Sequence, residues 1–414
     1  MTMAAFATSP VGSQPPAAPD ADAAGSAGHG GPGQVQSAIP GLDALRAQID
    51  EVDSRLLELL NRRASISLSI GRLKAGTPGA KIYDPAREAR LLESLARRNQ
   101  GPLTCGHVES IWREIMSASR ALQKPCAVAY LGPEGTFSHF AAMDFLGRSM
   151  NFMPCAGFEE IFSKIASGEC DLGAIPLENS IYGTIPQNFD LFAQYDVRIM
   201  AEFFSRIANS LLSREASLDS VGTVYSHAQP LGQCAGWLRA NLPHARLISV
   251  ASTATAARQA AEGDGAASIG HPALAPQLGM RVLASHIEDN KDNWTRFVLV
   301  CAAGSESRAP AIRQETGKAN KTSLLFKVQD RAGALSSVLN IITSHGVNMT
   351  KLESRPLKGS AWKYVFFADL ECDLLDPSRA PLLQELEAQC ASLRVLGCYP
   401  EGPQLDSTLS NAGA

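Results

Sequence analysis

The sequence predicts a multi-domain chain with an all-α three-helix unit, then an α/β unit, then an α+β unit of ferredoxin-like plan. Three observations predict it. Apolar residues recur at helical steps from Leu45 to Leu73, with helical spacing returning twice before Pro125. After Pro125 the period shortens to brief apolar runs separated by helical stretches and by loops rich in Gly, Ser and Thr. From Lys321 the order is strand, helix, strand, strand, helix, strand. A chain of 414 residues with 45% apolar content has room for two to four such domains.

Residues 1–40 carry ten Ala, six Gly and six Pro with two acids and no Lys or Arg, so they read as a disordered extension. In the unit at 41–124, Leu45, Ile49, Val52, Leu56, Leu59, Ile66, Ile70 and Leu73 form one seam, with Arg63 in the remaining seam position. Thirty-odd helical residues would span about 50 Å, more than a domain this small can cover, so the second face is expected to meet a partner chain. Asp84-Pro85 reads as a helix cap with proline at the first helical position, opening a helix to about Arg98. A third helix carries Val108, Ile111, Ile115, Ala118 and Leu122 and stops at Lys124-Pro125.

The α/β unit spans 126–303, with strands expected at Ala127–Leu131, Asp171–Pro176, Val197–Phe203, Val221–Tyr225, Leu247–Val250, Ala266–Ile269 and Phe297–Val300. A polar linker at 304–320 leads to the last unit at 321–400, and 401–414 form a tail.

Composition excludes several classes. With 37 Lys+Arg against 41 Asp+Glu the chain lacks the basic excess of a nucleic-acid binder. No apolar run approaches the ~18 residues of a membrane span, and no basic n-region precedes an apolar stretch. Nine scattered cysteines without a CxxC pair suggest neither a disulfide framework nor a zinc site, and they fit a cytoplasmic protein.

In the helical unit, Arg63 and Lys74 lie eleven residues apart, within ~20° on one face and some 16 Å along the axis. Their long side chains can converge on one small anion. Arg46, seventeen residues before Arg63, points about 100° away and lies ~25 Å off, so it joins the same ligand only from another subunit. The segments LDALRAQIDEVDSRLLELLNRRASIS, GRLKAG, YDPAREARLLESL and WREIMSASRALQK resemble the chorismate mutase domain of the AroQ class. The resemblance implies an intertwined helical dimer. It implies that Arg46 and Arg63 hold the two substrate carboxylates and that Lys74 and Gln123 hydrogen-bond the ether oxygen. Arg87, Glu88 and Ser119 complete the pocket with the backbone of Asp84, which reads equally as a simple helix cap. The reaction is unimolecular and needs no nucleophile or metal, only a held conformer and stabilised charge.

Four polar clusters mark the central unit: Tyr130–His139, Pro176–Thr184, Ser226–Gln233 and Trp294–Phe297. The unit contains no GxSxG and no GxGxxG, which argues against a hydrolase triad and a nicotinamide cofactor. Together the clusters resemble prephenate dehydratase, whose Thr-Arg-Phe motif stands intact at 295–297. The resemblance implies two α/β lobes like those of periplasmic binding proteins, with substrate in the cleft. Thr295 is the implied catalytic residue at the departing hydroxyl. Thr136, Glu178, Asn179, Ser226, Gln233, Arg296 and Phe297 are implied in the pocket, with Ser252 on a carboxylate. His139 and His227 read as structural or orienting.

In the last unit, Gly333-Ala334-Leu335 and Glu353-Ser354-Arg355-Pro356 resemble the effector motifs of an ACT domain, implying an L-phenylalanine sensor between two such domains. The three resemblances imply a homodimer or higher homo-oligomer that turns chorismate into prephenate and prephenate into phenylpyruvate, without metal or organic cofactor. Arogenate dehydration and a non-catalytic amino-acid sensor are the competing readings.

Overall fold

The computed structural model describes residues 41–75, 85–123, 126–304, 320–357 and 363–406. The extension expected at 1–40, Asp84 and nearly all of the expected linker lie outside them. The described residues fall into two units, one ending at Leu56 and one beginning at Leu57.

The N-terminal helices are α1 (Leu42–Ala75), α2 (Pro85–Arg98) and α3 (Cys105–Gln123), as their periodicity predicts. Helix α2 starts at its proline, where a missing N–H costs nothing. The seam of α1 stays open: Ile49, Val52, Leu59 and Ile66 are each more than half exposed.

The central unit begins with β1 (Ala127–Leu131), α4 (Phe137–Leu146), β2 (Asn151–Cys155), α5 (Phe158–Ala166), β3 (Leu172–Asn179), β4 (Gly183–Thr184), α6 (Pro186–Gln194) and β5 (Val197–Arg206). The chain then crosses to a second lobe through residues 207–209. That lobe holds β6 (Ser210–Ser213), β7 (Thr223–Ser226), α7 (Ala228–Gln233), α8 (Ala235–Asn241), β8 (Arg246–Ser249), α9 (Thr253–Glu262), β9 (Ala266–Gly270), α10 (Leu274–Gln277) and β10 (Arg281–Ala284). It returns through 285–293 into β11 (Trp294–Ala302), which lies between β5 and β3. Two crossings between two sheets make the two-lobed, periplasmic-binding-protein-like architecture. The second sheet runs β10-β6-β9-β7-β8.

The ferredoxin-like unit follows as β12 (Asn320–Val328), α11 (Ala334–Ser344), β13 (Met349–Pro356), β14 (Tyr364–Leu370), α12 (Ala380–Gln389) and β15 (Cys390–Pro400). Its sheet order is β13-β14-β12-β15, with both helices over one face. A short strand, β16 (Gln404–Leu405), pairs with β5 and extends the first central sheet, whose order is β16-β5-β11-β3-β1-β2 with β4 on β3.

Several strands escaped the sequence reading. β2, β6, β10 and β16 are short, and β2 contains a proline that demotes a run in any pattern count. β3 continues past Pro176 to Asn179, because a register shift opposite Arg296 and Phe297 passes the chain by the missing N–H. β11 likewise starts at Trp294, so the Thr-Arg-Phe motif lies within the strand.

The ACT-like sheet and the first central sheet share one core. Ile175, Val298, Val300 and Phe192 pack with Leu325, Phe367, Leu396 and Tyr399. Here β15 crosses β5 so closely that a Cβ on Gly397 would lie 2.0 Å from the Ile199 carbonyl oxygen. Only glycine lets the two backbones meet.

Between the lobes, the His271 ring stacks on Phe140 of α4 at 4.1 Å. Burial, with Arg148 adding to it, pushes His271 down to about 3. An unfolded chain protonates this histidine near 6.5, so below that pH it takes up a proton that the fold refuses. Stability is therefore expected to fall from about pH 6.5 towards 3, by up to about 1.4 kcal/mol per pH unit. His139, also lowered by burial, acts in the same direction. Urea midpoints measured from pH 7 to 5 should drop in the native chain and drop less in His271→Asn.

Candidate active sites

Strand register builds the central site. Asn179 on β3 stands directly opposite Thr295 on β11, and Glu178 stands opposite Arg296. Because side chains alternate, the first pair faces one side of the sheet and the second pair the other. The Asn179 amide group reaches the Thr295 hydroxyl oxygen at 3.0 Å, Asn293 Oδ1 at 2.7 Å and the Trp294 carbonyl at 3.1 Å. Its own oxygen accepts from the backbone N–H groups of Ile181 and Tyr182. Asn179 thus spends its whole amide on positioning Thr295 and the 179–182 turn. Donation from Asn179 fills an acceptor site on Thr295 and leaves the threonine O–H to point elsewhere as a donor.

Ile181 and Tyr182 of the 179–182 turn line a cavity of about 190 Å³ with Gly232, Gln233, Asp289 and Asn290. Gln233 Oε1 accepts from Asn209 Nδ2 at 3.0 Å, which makes the Nε2 amino group its remaining polar group. Thr136 caps α4, accepting from the His139 N–H and donating to the Leu131 carbonyl. Ser252 caps α9 and accepts from the Thr255 N–H. Both serve helix N-termini of the kind that suits anions. Ser226 is fully buried at the end of β7 and donates to the Ile269 carbonyl at 2.8 Å, which ties two strands together. The ring nitrogens of His139 and His227 accept from the backbone N–H groups of Gly135 and Gln229, as orienting residues do.

Of the residues implied in the pocket, Gln233 lines this cavity, while Phe297, Arg296 and Glu178 are engaged elsewhere. Phe297 is 1% exposed and stacks on Phe203 at 5.3 Å, inside a core cluster with Ala141 and Leu405. Arg296 and Glu178 point through the sheet towards the C-terminal unit, where Arg296 pairs with Glu178, Glu202 and Asp369. Sequence reasoning also passed over Asn293, fully buried and two residues before Thr295, and Asn209 in the apolar text of the crossing. The first had a fixed spacing to the motif as its signal; the second had none.

In the helical unit, Arg63 donates to the Ser119 hydroxyl and, at 3.3 Å, to the Ile115 carbonyl. Glu88 pairs with Arg120, which also donates to the Leu146 carbonyl of the central unit. Burial lowers the Arg63 pKa, Glu88 opposes that shift, and Arg87 adds to it. A half-buried arginine held by one hydroxyl and one carbonyl of α3 is placed to meet an anion. Gln123 lies against α1, within 3.0 Å of where a Cβ on Gly71 would stand. Arg87 is exposed, and Arg46 sits 3.6 Å from Asp43 within its own unit. The Lys74 side chain and Asp84 fall outside the described residues.

Known families match in the same order. A chorismate mutase type II model matches residues 45–124, a prephenate dehydratase model 128–305 and an ACT domain model 322–388. The bifunctional chorismate mutase/prephenate dehydratase of Aquifex aeolicus (strain VF5) is 38% identical over 364 residues, covering 87% of this chain and 98% of that protein. The chain belongs to the bifunctional chorismate mutase/prephenate dehydratase family. A prephenate dehydratase structure from Arthrobacter aurescens, in complex with L-Phe, is 32% identical with a TM-score of 0.60, covering 66% of this chain and 90% of that one. A structure titled GqqA, a quorum-quenching acylase, is 28% identical with a TM-score of 0.59, covering 67% of this chain and 98% of that one.

Within this family's C-terminal unit, Gly333 takes a left-handed φ of 80° at the N-cap of α11, which leads the backbone into Ala334 and Leu335. The Glu-Ser-Arg-Pro segment divides by strand alternation. Glu353 reaches Thr184 at 3.5 Å and Arg355 reaches Asp190 at 3.1 Å, so both are spent on the central unit. Ser354 and Pro356 point to the other side of β13, an edge strand, and are exposed. The seven effector positions therefore do not form one contact set within a chain.

Proposed function

We propose that the helical unit rearranges chorismate to prephenate, that the central unit converts prephenate to phenylpyruvate, and that L-phenylalanine inhibits the second step through the ACT unit. The observation that carries the dehydratase assignment is the Asn179–Thr295 hydrogen bond, with Asn179 also holding the turn whose Ile181 and Tyr182 line the Gln233 cavity. As the ring C–CO2 bond breaks, its electron pair moves into the ring and expels the ring hydroxyl, leaving carbon dioxide, water after proton uptake, and an aromatic product. Thr295 donates its hydrogen bond to the departing oxygen. A threonine is too weak an acid to release a free proton, so it acts as donor or relay. The helix N-termini capped by Thr136 and Ser252 favour the substrate's carboxylates, and Gln233 Nε2 supplies a further donor.

In the mutase site Arg63 takes a carboxylate, with Ser119 and Glu88 beside it. Lys74, Gln123, Arg87 and the Asp84 backbone are assigned to the same pocket by family likeness. Arg46 enters from a second copy of the chain. The open seam of α1 supports that homodimer, with Ile49 59% and Leu59 61% exposed in a single chain. Covering such a face is favourable by about 25 cal/mol per Å² of apolar surface. Ile49→Asp is expected to abolish mutase activity while prephenate turnover persists, as the two activities measured on one sample would show. Nine free thiols support a cytoplasmic setting.

The test is to supply purified protein with chorismate alone and follow products by chromatography with and without phenylalanine. Phenylpyruvate that declines on adding phenylalanine is the expected outcome. Prephenate accumulating without phenylpyruvate would overturn the central assignment, and faster turnover of L-arogenate than of prephenate would replace its substrate.

A further inference from the structure

We propose that Arg296 and Glu178 are positioning residues for the dehydratase, through which the ACT-like sheet holds the Asn179–Thr295 pair in register. This rests on the dehydratase reading above and concerns how that site is held and regulated.

Each residue is the chain neighbour of a member of the pair: Glu178 precedes Asn179 and Arg296 follows Thr295. The cross-strand pairs 178–296 and 179–295 are adjacent rungs at the register shift between β3 and β11. Whatever moves one rung moves the other.

The rung at 178–296 is anchored outside the central unit. Arg296, 4% exposed, lies 2.6 Å from Asp369, 2.7 Å from Glu202 and 3.2 Å from Glu178, and donates to the Tyr399 hydroxyl at 3.3 Å. Lys321 pairs with Glu202 at 2.6 Å, and Lys351 pairs with Glu178. Ser323 bridges Asp369 and Tyr399. The cluster therefore sets three carboxylates (Glu178, Glu202, Asp369) against three cations (Arg296, Lys321, Lys351). Asp369, Tyr399, Ser323 and both lysines come from the ACT-like sheet. Without that sheet the central strands would leave one arginine against two glutamates, a buried imbalance of the costly kind. Burial works against the Arg296 charge, yet Tyr399, Asp369 and Glu202 together raise its pKa.

Lys351 ties the cluster to the effector strand. It shares one face of β13 with Glu353 and Arg355, which reach Thr184 and Asp190. A shift of β13 on effector binding is thus passed to Glu178 by an ion pair and to Asn179 by one peptide unit. That is a contiguous physical link between two distinct sites.

The experiment uses the full chain carrying Asp369→Asn or Lys351→Met, neither of which faces the cleft. For both we expect kcat on prephenate to fall about tenfold with KM within twofold, and the phenylalanine concentration for half-inhibition to rise about tenfold. Calorimetry should still detect phenylalanine binding, and chorismate mutase activity in the same sample controls for folding. Unchanged kcat and inhibition would overturn the proposal, as would a rise in KM alone, which would mean direct contact with substrate. Should either variant fail to fold, Tyr399→Phe removes only one hydroxyl and should shift inhibition in the same direction; native inhibition there overturns the proposal too. Absence of prephenate turnover in the unaltered chain would instead strike the dehydratase reading.

Discussion

Thr295→Ala should lower prephenate turnover by about 10²–10³-fold, the loss seen when one aimed donor is removed from a transition state, or about 3–4 kcal/mol. The effect should fall on kcat, since the departing hydroxyl gains charge only as the bond breaks. Chorismate supplied to this variant should leave prephenate as the accumulating product. The geometry sharpens the test through a second variant. In Asn179→Asp the group facing the Thr295 oxygen can no longer donate, so the threonine must turn its own O–H towards the new carboxylate. The donor is then aimed away from substrate, and the new carboxylate also meets the Asn293 Oδ1 and Trp294 carbonyl oxygens that the amide had satisfied. Asn179→Asp should therefore lose nearly as much as Thr295→Ala, and the double variant little more, because the two residues act as a unit. Steady-state rates of the three variants decide it; additive losses would mean that Asn179 acts on substrate independently.

How much of this was readable before the fold differs by region. The three-helix unit was legible because a repeat at steps of three and four admits one conformation, and Arg63 announced itself by interrupting it. The ferredoxin-like unit was legible from element order alone. The polar segments of the central unit were found, but their directions were not. Strand alternation decides that Thr295 and Arg296 face opposite sides of the sheet, Arg296 towards the ACT-like sheet, and alternation is readable only once the motif is known to lie within a strand. The run opening at Phe297 hid this, since Trp294, Thr295 and Arg296 read as a polar loop before an apolar strand. The same held for Glu353 and Ser354, adjacent in sequence and opposed in space. Phe297 looked like pocket lining by its place in a motif and is core by its burial. Motif membership gave neighbourhood; register gave role.

Arg63→Leu should separate stability from activity in the helical unit. Arg63 occupies the one seam position of α1 where periodicity asks for an apolar side chain, and burial costs its guanidinium enough to lower its pKa. Its recorded partners are a hydroxyl and a carbonyl rather than a paired carboxylate. Leucine removes that cost and continues the seam, so the variant should be at least as stable as the native chain. Mutase activity should nevertheless fall by at least about 10²–10³-fold in kcat/KM, because a substrate carboxylate entering the site would lose its charged partner, a loss of about 2–5 kcal/mol. Arg63→Lys should recover only part of it, since an ammonium cannot present the planar fork that grips a carboxylate at two oxygens. Prephenate turnover should be native in both variants. Thermal melts read beside the two activities test this. A variant that melts lower and loses both reactions would make Arg63 a structural residue, whereas one that melts as high or higher and loses only the mutase would show that the seam is broken for the sake of the substrate.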